Sequence, residues 1–559
     1  MSAFSTPQAL QEYREKLNTE RGDELQIISL CGGTGCTACG SEGVAETFKE
    51  ELKKHALDGR VRLRLTGCQG FCERAPLVHF SADDTLYQKV AQEDVADIVD
   101  KTVKEGECLD KFLLDDPETG EKYRTRNENP FFKNQTPTLL GGTWAVDPTS
   151  IDDYIAIGGY AALTKAFELG PEKIIEEVKL SHLRGRGGAG FPTGKKWETC
   201  RNVTSDKRYV ICNANEGDPG EFMDRFLLEG NPHAVIEGMI IGAFAIGSDE
   251  GYIYIQKTYG LATRRLQIAL DAARDHGLLG KNILGTGFSF DISINLGGGA
   301  FVCGESTALM ASIEGKVGVP RAKHIHTVES GLNGKPSNLN NVETWANIPH
   351  IIEKGGAWFK SVGTEGSTGT KIVSLTGKVK NTGLVEVPMG TSLEDLINNL
   401  GGGVKDGRAF KAVQTGGPSG ACLPKEKLNV PLDFDSLWEE GSMMGGGIIV
   451  MDDENCMVDI DKHNLGFLKS ESCGKCSACR EGLRRLHELV TDISEGRGTE
   501  ETTRKIEKIA ETVTSTALCA LGTTATNSVI STLKYFKDEY EAHIVDKKCT
   551  AGVCKMTHS

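Results

Sequence analysis

Aromatic residues are scarce in this sequence, 6% of 559 positions, and there are only 17 prolines. Long apolar runs are missing as well. The longest, MIIGAFAIG, stops well short of the roughly 18 residues that a membrane-spanning helix needs, so direct membrane insertion is excluded. The opening, MSAFSTPQALQEYREK, lacks the apolar core of a secretion signal, and the chain is expected in the cytoplasm. Positive charge is in deficit, with a net charge of -15. Phosphate backbones need a basic surface, so nucleic acid is excluded, and protein partners and small molecules remain. No segment of roughly 20 to 50 residues repeats, which excludes a repeat architecture.

Two residue types are abundant instead: 67 glycines and 17 cysteines. The glycines imply tight turns and close backbone approach to ligands. In a reducing compartment the cysteines are expected to serve metals or redox chemistry rather than disulfides. At roughly 150 residues per domain the chain should divide into about four units.

Residues 1–115 read as a compact α/β unit, with an opening helix, the run LQIISL, a helix near SEGVAETFKEELKKHA and the strand VRLRLT. Residues 116–149 are polar and turn-rich and read as a linker. The largest α/β region spans 150–366. Over 367–455 IVSLTGKV and LVEVPMGTSLEDLINNL suggest a strand pair and a helix of a β-grasp fold. Over 456–543 the pattern is that of a helical bundle, and 544–559 is a tail.

Cys31 and Cys36 lie in CGGTGC, and Cys68 and Cys72 in CQGFC. Bare glycine loops let four sulfurs converge on a small iron-sulfur cluster whose sulfides meet backbone N–H groups. A zinc site, or a redox pair formed by Cys36 and Cys39, fits the same spacing. Further on, ESCGKCSACREG sets Cys473, Cys476 and Cys479 three residues apart, and three thiolates need a fourth ligand. Cys519, in STALCALG, is the candidate, with an iron-sulfur cluster and a four-cysteine zinc site as competing readings. Past the bundle come His543, Cys549 and Cys554, which with Cys456 form a candidate closed zinc site and leave His558 as a spare ligand. The alternative there is a solvated histidine with cysteines that are free or bind a cluster with a partner chain.

GRGGAGFPTGKKW, Gly185 to Trp197, contains G-x-G-x-x-G, the pattern of a Rossmann loop. That loop must follow a strand, whereas Gly185 follows the helical EKIIEEVKLSHLR. The glycines still bring backbone close to something, with Arg186 and Lys196 placed to meet anionic groups. An ordinary glycine-rich turn is the plain alternative.

These motifs carry a family resemblance. C-x4-C followed by C-x3-C on an α/β unit is similar to the thioredoxin-like [2Fe-2S] module of NADH dehydrogenases and bifurcating hydrogenases, all four positions matching and Cys39 left over. RGRGGAGFPTGKKW, NANEGDPGEFMDR, GGGAFVCGESTAL, KPSNLNNVET and the cysteine motif with its later LCALG resemble, in order, the NADH-binding FMN/[4Fe-4S] flavoprotein subunit of respiratory NADH dehydrogenase over about 147–546. The resemblance implies that Gly185, Gly187, Lys196, Asn213, Asn215, Glu216, Gly304, Glu305, Asn340, Asn341 and Thr344 line FMN, with Arg186 in the same loop. It implies that Phe191 stacks on the nicotinamide nucleotide, NAD(H) or NADP(H), which Lys323 reaches and which Asp218 and Ser306 face. The sequence departs from the family at Asn215 (commonly Asp), Asp218 (Glu), Ser306 (a second Glu) and His326 (near an aromatic).

The activity implied is that of a cytoplasmic oxidoreductase subunit exchanging hydride between NAD(P)H and FMN and passing single electrons through its clusters. A [2Fe-2S] unit in front of the flavoprotein resembles the β subunits of electron-bifurcating hydrogenases and NAD-dependent formate dehydrogenases. Partners would then be a small [2Fe-2S] subunit, an iron-sulfur catalytic subunit and ferredoxin. Many bifurcating relatives carry a further ferredoxin-like domain, whereas this sequence ends at Ser559. A non-bifurcating diaphorase is the alternative within the class, and a zinc-stabilised scaffold the alternative outside it.

Overall fold

The computed structural model describes residues 3–22, 26–116, 119–322 and 324–556. The first sheet contains β1 (Gln26–Cys31), β2 (Val61–Thr66), β3 (Val78–Phe80) and β4 (Leu86–Tyr87) in the order β2-β1-β3-β4. β1 runs parallel to β2, with Cys31 opposite Thr66, and antiparallel to β3. Helix Ser41–Lys54 buries Val44, Phe48 and Leu52, one apolar face at helical spacing, in the core of this unit. The opening helix, Pro7–Arg21, belongs elsewhere. Its Leu10 and Leu17 join the core of the large α/β region that follows residue 150, and Tyr13 donates to Asp152 at 2.9 Å. Sequence periodicity finds the apolar face of such a helix but not the unit that covers it.

Residues 116–149 are not a free connector. After the short ladder of β5 (Leu114–Asp115) and β6 (Lys122–Tyr123), Phe131 stacks on Phe71 at 4.0 Å, and Phe131 and Phe132 are buried. Leu139 and Leu140 then donate their N–H groups to Glu386 Oε2 at 2.8 and 2.9 Å. Two phenylalanines in a polar stretch were the signal that this segment has something to bury.

The second sheet is parallel: β7 (Tyr209–Ala214), β8 (Glu250–Gln256), β9 (Asp291–Gly297) and β10 (Ser337–Asn341), in the order β10-β7-β8-β9. Helix Pro232–Ile246, apolar nearly all round, and helix Val342–Lys354, which buries Val342, Trp345, Ile348, Ile351 and Ile352, pack over it. The third sheet joins β11 (Thr370–Gly377), β12 (Gly383–Pro388), β13 (Phe410–Thr415), β14 (Cys422–Pro424) and β15 (Gly447–Asp452) in the order β12-β11-β15-β13-β14. It is mixed, with β11 and β15 parallel. Helices Met457–Glu471, Ser477–Ser494 and Glu500–Thr516, followed by three shorter ones, complete the chain. No helix among the described residues is long and apolar enough to cross a membrane.

Candidate functional site

The glycine loop meets the carboxyl end of β10, where Asn341 runs straight into helix Val342–Lys354, and the segments after the neighbouring β7 and after β9 meet each other, at the ends of the strands where open parallel sheets bind ligands. The glycine loop lies between helices Pro171–Leu180 and Thr193–Asn202, with no strand before it. Gly188 and Gly190 hold φ of 96° and 62°, which other residues adopt only under strain, and a Cβ on Gly187 would lie 3.1 Å from Asn341 Cβ. Lys196 Nζ donates to Leu339 O at 2.9 Å and Asn340 Oδ1 at 3.2 Å. Arg186 N donates to Thr344 Oγ1 at 2.9 Å.

Asn213 Nδ2 donates to Gly304 O at 2.9 Å, and Asn215 Nδ2 to Ala300 O at 3.1 Å. Glu216 accepts from Asp224 N at 3.0 Å, Arg225 N at 3.2 Å and the Tyr259 hydroxyl at 3.0 Å, yet burial pushes its carboxyl up to about 7. Glu305 caps helix Ser306–Ile313 through Thr307 N (2.8 Å) and Ala308 N (3.1 Å), and Ser306 Oγ donates to its other oxygen at 3.0 Å. Asn341 caps helix Val342–Lys354 through Glu343 N at 2.9 Å. Phe191 is 46% exposed, a large ring facing outward beside this crevice.

The side chain of Arg186 corrects an expectation. Its guanidinium is buried, bonded to Thr368 O at 2.5 Å and lying against the Phe359 ring, so it braces the loop from beneath instead of offering charge at its surface. Burial lowers its pKa to about 10. Lys323 lies outside the described residues. Sequence reasoning also missed Asp224, Glu221 and Asn338. Asp224 is buried and accepts from Asn341 Nδ2 at 2.6 Å, and Glu221 accepts from Gly446 and Gly447 N–H at 2.8 and 2.9 Å. Both acids stand in NEGDPGEFMD, whose density of carboxylates was the available signal. Burial first, then neighbouring acids, raises Asp218 and Asp224 well above the ordinary carboxyl range.

Asn215 Oδ1, Asp218 Oδ1, Asp224 Oδ1 and Asn338 Nδ2 are buried without a hydrogen-bond partner. Unpaired buried polar atoms are costly, and a polar, ring-shaped ligand such as a flavin is a fitting partner for such a set.

Two further cysteine sets lie in the chain's first unit and its helical end. Cys31 closes β1, Cys36 sits in the short helix Thr34–Ala38, and Cys68 and Cys72 follow β2. Cys68 Sγ and Cys72 Sγ are 4.0 Å apart, Leu77 N donates to Cys31 Sγ at 3.0 Å and Gly70 N to Cys68 Sγ at 3.4 Å. Backbone N–H groups aimed at sulfur suit an anionic cluster. Cys39 is exposed. Cys473, Cys476, Cys479 and Cys519 line one cavity with Val302, Ala517 and Leu521. A third set is separate: ligand atoms of Cys456, His543, Cys549 and Cys554 all lie within 4.8 Å of one another. His543 Nδ1 is bonded to Glu539 O at 2.7 Å, which turns Nε2 toward Cys456 Sγ at 3.5 Å. His558 lies outside the described residues.

Family comparisons agree with this layout. In chain order the matches are to a thioredoxin-like [2Fe-2S] ferredoxin (13–103), the Nuo51 FMN-binding domain (178–350), an SLBB domain (372–422) and the NADH-ubiquinone oxidoreductase-F iron-sulfur binding region (459–543). The chain is 43% identical over 415 residues to NADH-quinone oxidoreductase F 2 of Rhizobium meliloti, covering 74% of this chain and 99% of that relative. It belongs to the NADH-quinone oxidoreductase F family. Within that family it is 52% identical over 410 residues to NADP-reducing hydrogenase subunit HndC of Solidesulfovibrio fructosivorans, covering 73% of this chain and 84% of that relative. A solved NAD+-reducing [NiFe]-hydrogenase in the H2-reduced state matches with TM-score 0.64 and 26% identity over 96% of this chain and 90% of that one.

As a member of this family with a thioredoxin-like domain in front, the chain is an oxidoreductase subunit of hydrogenase or NADH dehydrogenase type that uses FMN, NAD(H), a [2Fe-2S] and a [4Fe-4S] cluster. The zinc-only scaffold is thereby set aside.

Proposed function

We propose that this cytoplasmic chain exchanges hydride between NAD(H) or NADP(H) and FMN within an electron-bifurcating hydrogenase or formate dehydrogenase complex linked to ferredoxin. The observation that carries the reading is the glycine loop held against Asn341 and Thr344, with Asn213 and Asn215 bonded to the turn that also lines the cavity of Cys473, Cys476, Cys479 and Cys519. Bound flavin accepts two electrons as hydride and gives them up singly, which clusters require. The chain's own work is placement. Asn213, Asn215, Glu216, Asn340 and Asn341 would hold the ring edge, and Lys196 with the Gly185–Gly190 amides would meet the phosphate. Glu305 caps the helix beside them, Thr344 holds the glycine loop through Arg186 N, and Phe191 would cover the nicotinamide.

Cys31, Cys36, Cys68 and Cys72 would hold the [2Fe-2S] cluster, and Cys473, Cys476, Cys479 and Cys519 the [4Fe-4S] cluster. Four N/S ligand atoms within 4.8 Å suit a closed tetrahedral zinc site at Cys456, His543, Cys549 and Cys554. The fused [2Fe-2S] unit and the likeness to a hydrogenase subunit support the bifurcating assignment. A small [2Fe-2S] subunit and an iron-sulfur catalytic subunit would complete the complex. The likeness to the NAD+-reducing [NiFe]-hydrogenase over 96% of the chain favours a second reading, a diaphorase without bifurcation. Co-purified subunits assayed with ferredoxin and nucleotide, each alone and together, separate the two. Reduction that requires both carriers at once supports bifurcation, and full activity with nucleotide alone supports the diaphorase.

A further inference from the structure

One turn, Phe301–Gly304, separates the crevice from the cavity of Cys473, Cys476, Cys479 and Cys519. On the crevice side, Gly304 O and the preceding Ala300 O accept from Asn213 and Asn215. On the other, Val302 lines the cysteine cavity. So short a turn supplies few hydrogen bonds of its own. Its first amide, Phe301 N, donates instead to Glu471 Oε2 at 2.8 Å. Glu471 is the last residue of helix Met457–Glu471, two positions before Cys473. The same segment grips its surroundings twice more. Phe467 packs on Phe301 with ring centroids 5.5 Å apart, and Lys475 Nζ donates to Pro320 O at 2.6 Å.

We propose that Glu471 is a positioning residue that holds the turn Phe301–Gly304 as the bridge for electrons between the flavin and the [4Fe-4S] cluster. The proposal rests on the flavin reading above. Each transfer takes one electron from the reduced flavin and adds it to an oxidised cluster, while flavin protons return to water, so no further reactant is needed. Electron exchange through protein weakens steeply with each gap between atoms in contact. A turn touching both sites therefore matters through its position, and the carboxylate-to-amide bond is a strong way to fix it.

The test uses the full chain loaded with FMN and clusters, as wild type, Glu471→Ala and Glu471→Gln. Glutamine keeps an oxygen for Phe301 N, whereas alanine leaves that amide unpaired. Flavin and cluster reduction by NADH are timed separately by stopped flow, and amide exchange over 300–304 is followed by mass spectrometry. Glu471→Ala should speed amide exchange in the turn about tenfold, as expected for loss of one charge-assisted bond, and slow electron arrival at the cluster. Glu471→Gln should restore both, while the cluster's midpoint potential rises because a negative charge is gone. Equal cluster rates in Glu471→Ala and wild type would overturn the bridge, as would a Glu471→Gln as slow as Glu471→Ala. If the alanine variant fails to hold its cluster, Phe301→Pro, which removes the bonded amide itself and leaves Glu471 and the cysteines in place, takes its part with the same two readouts, and a wild-type cluster rate in it would overturn the bridge. A wild-type chain without flavin absorbance would overturn the underlying reading before any transfer is timed.

Discussion

The ammonium of Lys371 lies 2.5 Å from Glu343 Oε2, and both side chains are fully buried. Lys371 opens the mixed sheet on β11, and Glu343 starts the helix that Asn341 caps beside the crevice. The other Glu343 oxygen accepts from Ile372 N at 2.9 Å. Removing one partner of such a pair strands the other charge in the interior. Lys371→Met should destabilise the chain by about 3–5 kcal/mol, and adding Glu343→Leu should recover part of that loss. Denaturant midpoints of the single and double variants check this; an unchanged midpoint for Lys371→Met would refute it.

Cys519→Ser should abolish the [4Fe-4S] signal in electron paramagnetic resonance and leave the [2Fe-2S] signal, because the two ligand sets share no thiolate. Flavin reduction by nucleotide should persist and onward transfer should fail. Retention of both signals would remove Cys519 from the ligand set.

By the family resemblance Ser306 would stand where a second glutamate is expected, and its hydroxyl is bonded to Glu305 at 3.0 Å. A carboxylate there would accept from the ribose hydroxyls of NAD(H) and repel the 2′-phosphate of NADP(H), whereas serine does not repel. Ser306→Glu should therefore lower kcat/KM with NADPH far more than with NADH. A like response to both nucleotides would move the discrimination elsewhere.

The third set of ligands predicts one zinc per chain by elemental analysis. Cys549→Ser and Cys554→Ser should each lower the zinc content and the melting temperature, with both iron-sulfur signals intact. A clean preparation free of zinc would end that assignment.

Asp153 is buried against Arg21 (2.7 Å), Arg62 (2.7 Å) and Arg64 (3.0 Å). Burial alone would raise its carboxyl, but the arginines and the Asp147 amide outweigh it, and the net shift is downward. A depressed folded pKa contributes stability that is present above the unfolded value, about 3.9, and is lost as pH falls through the folded one. Wild type should lose stability on acidification below about pH 4, and Asp153→Asn should lose less over that range while being weaker at neutral pH. Urea midpoints between those conditions report both.

What could be read from the sequence was what short spacing encodes. Cys473, Cys476 and Cys479 are three residues apart, the glycine loop carries its own backbone requirements, and apolar periodicity marks helices and strands wherever they end up. Short-range geometry settles such features before any long-range contact forms. Tertiary structure decided the rest, because those choices depend on which surfaces pay the least desolvation by meeting. It sent the opening helix to the flavin-domain core, packed Phe131 and Phe132 out of an apparent linker, and turned Arg186 inward to Thr368. It also gathered Cys456 with Cys554, 98 positions away, to 3.6 Å between sulfurs. Asp224 joined the crevice for the same reason: a buried carboxylate needs a donor, and Asn341, 117 positions away, supplies it.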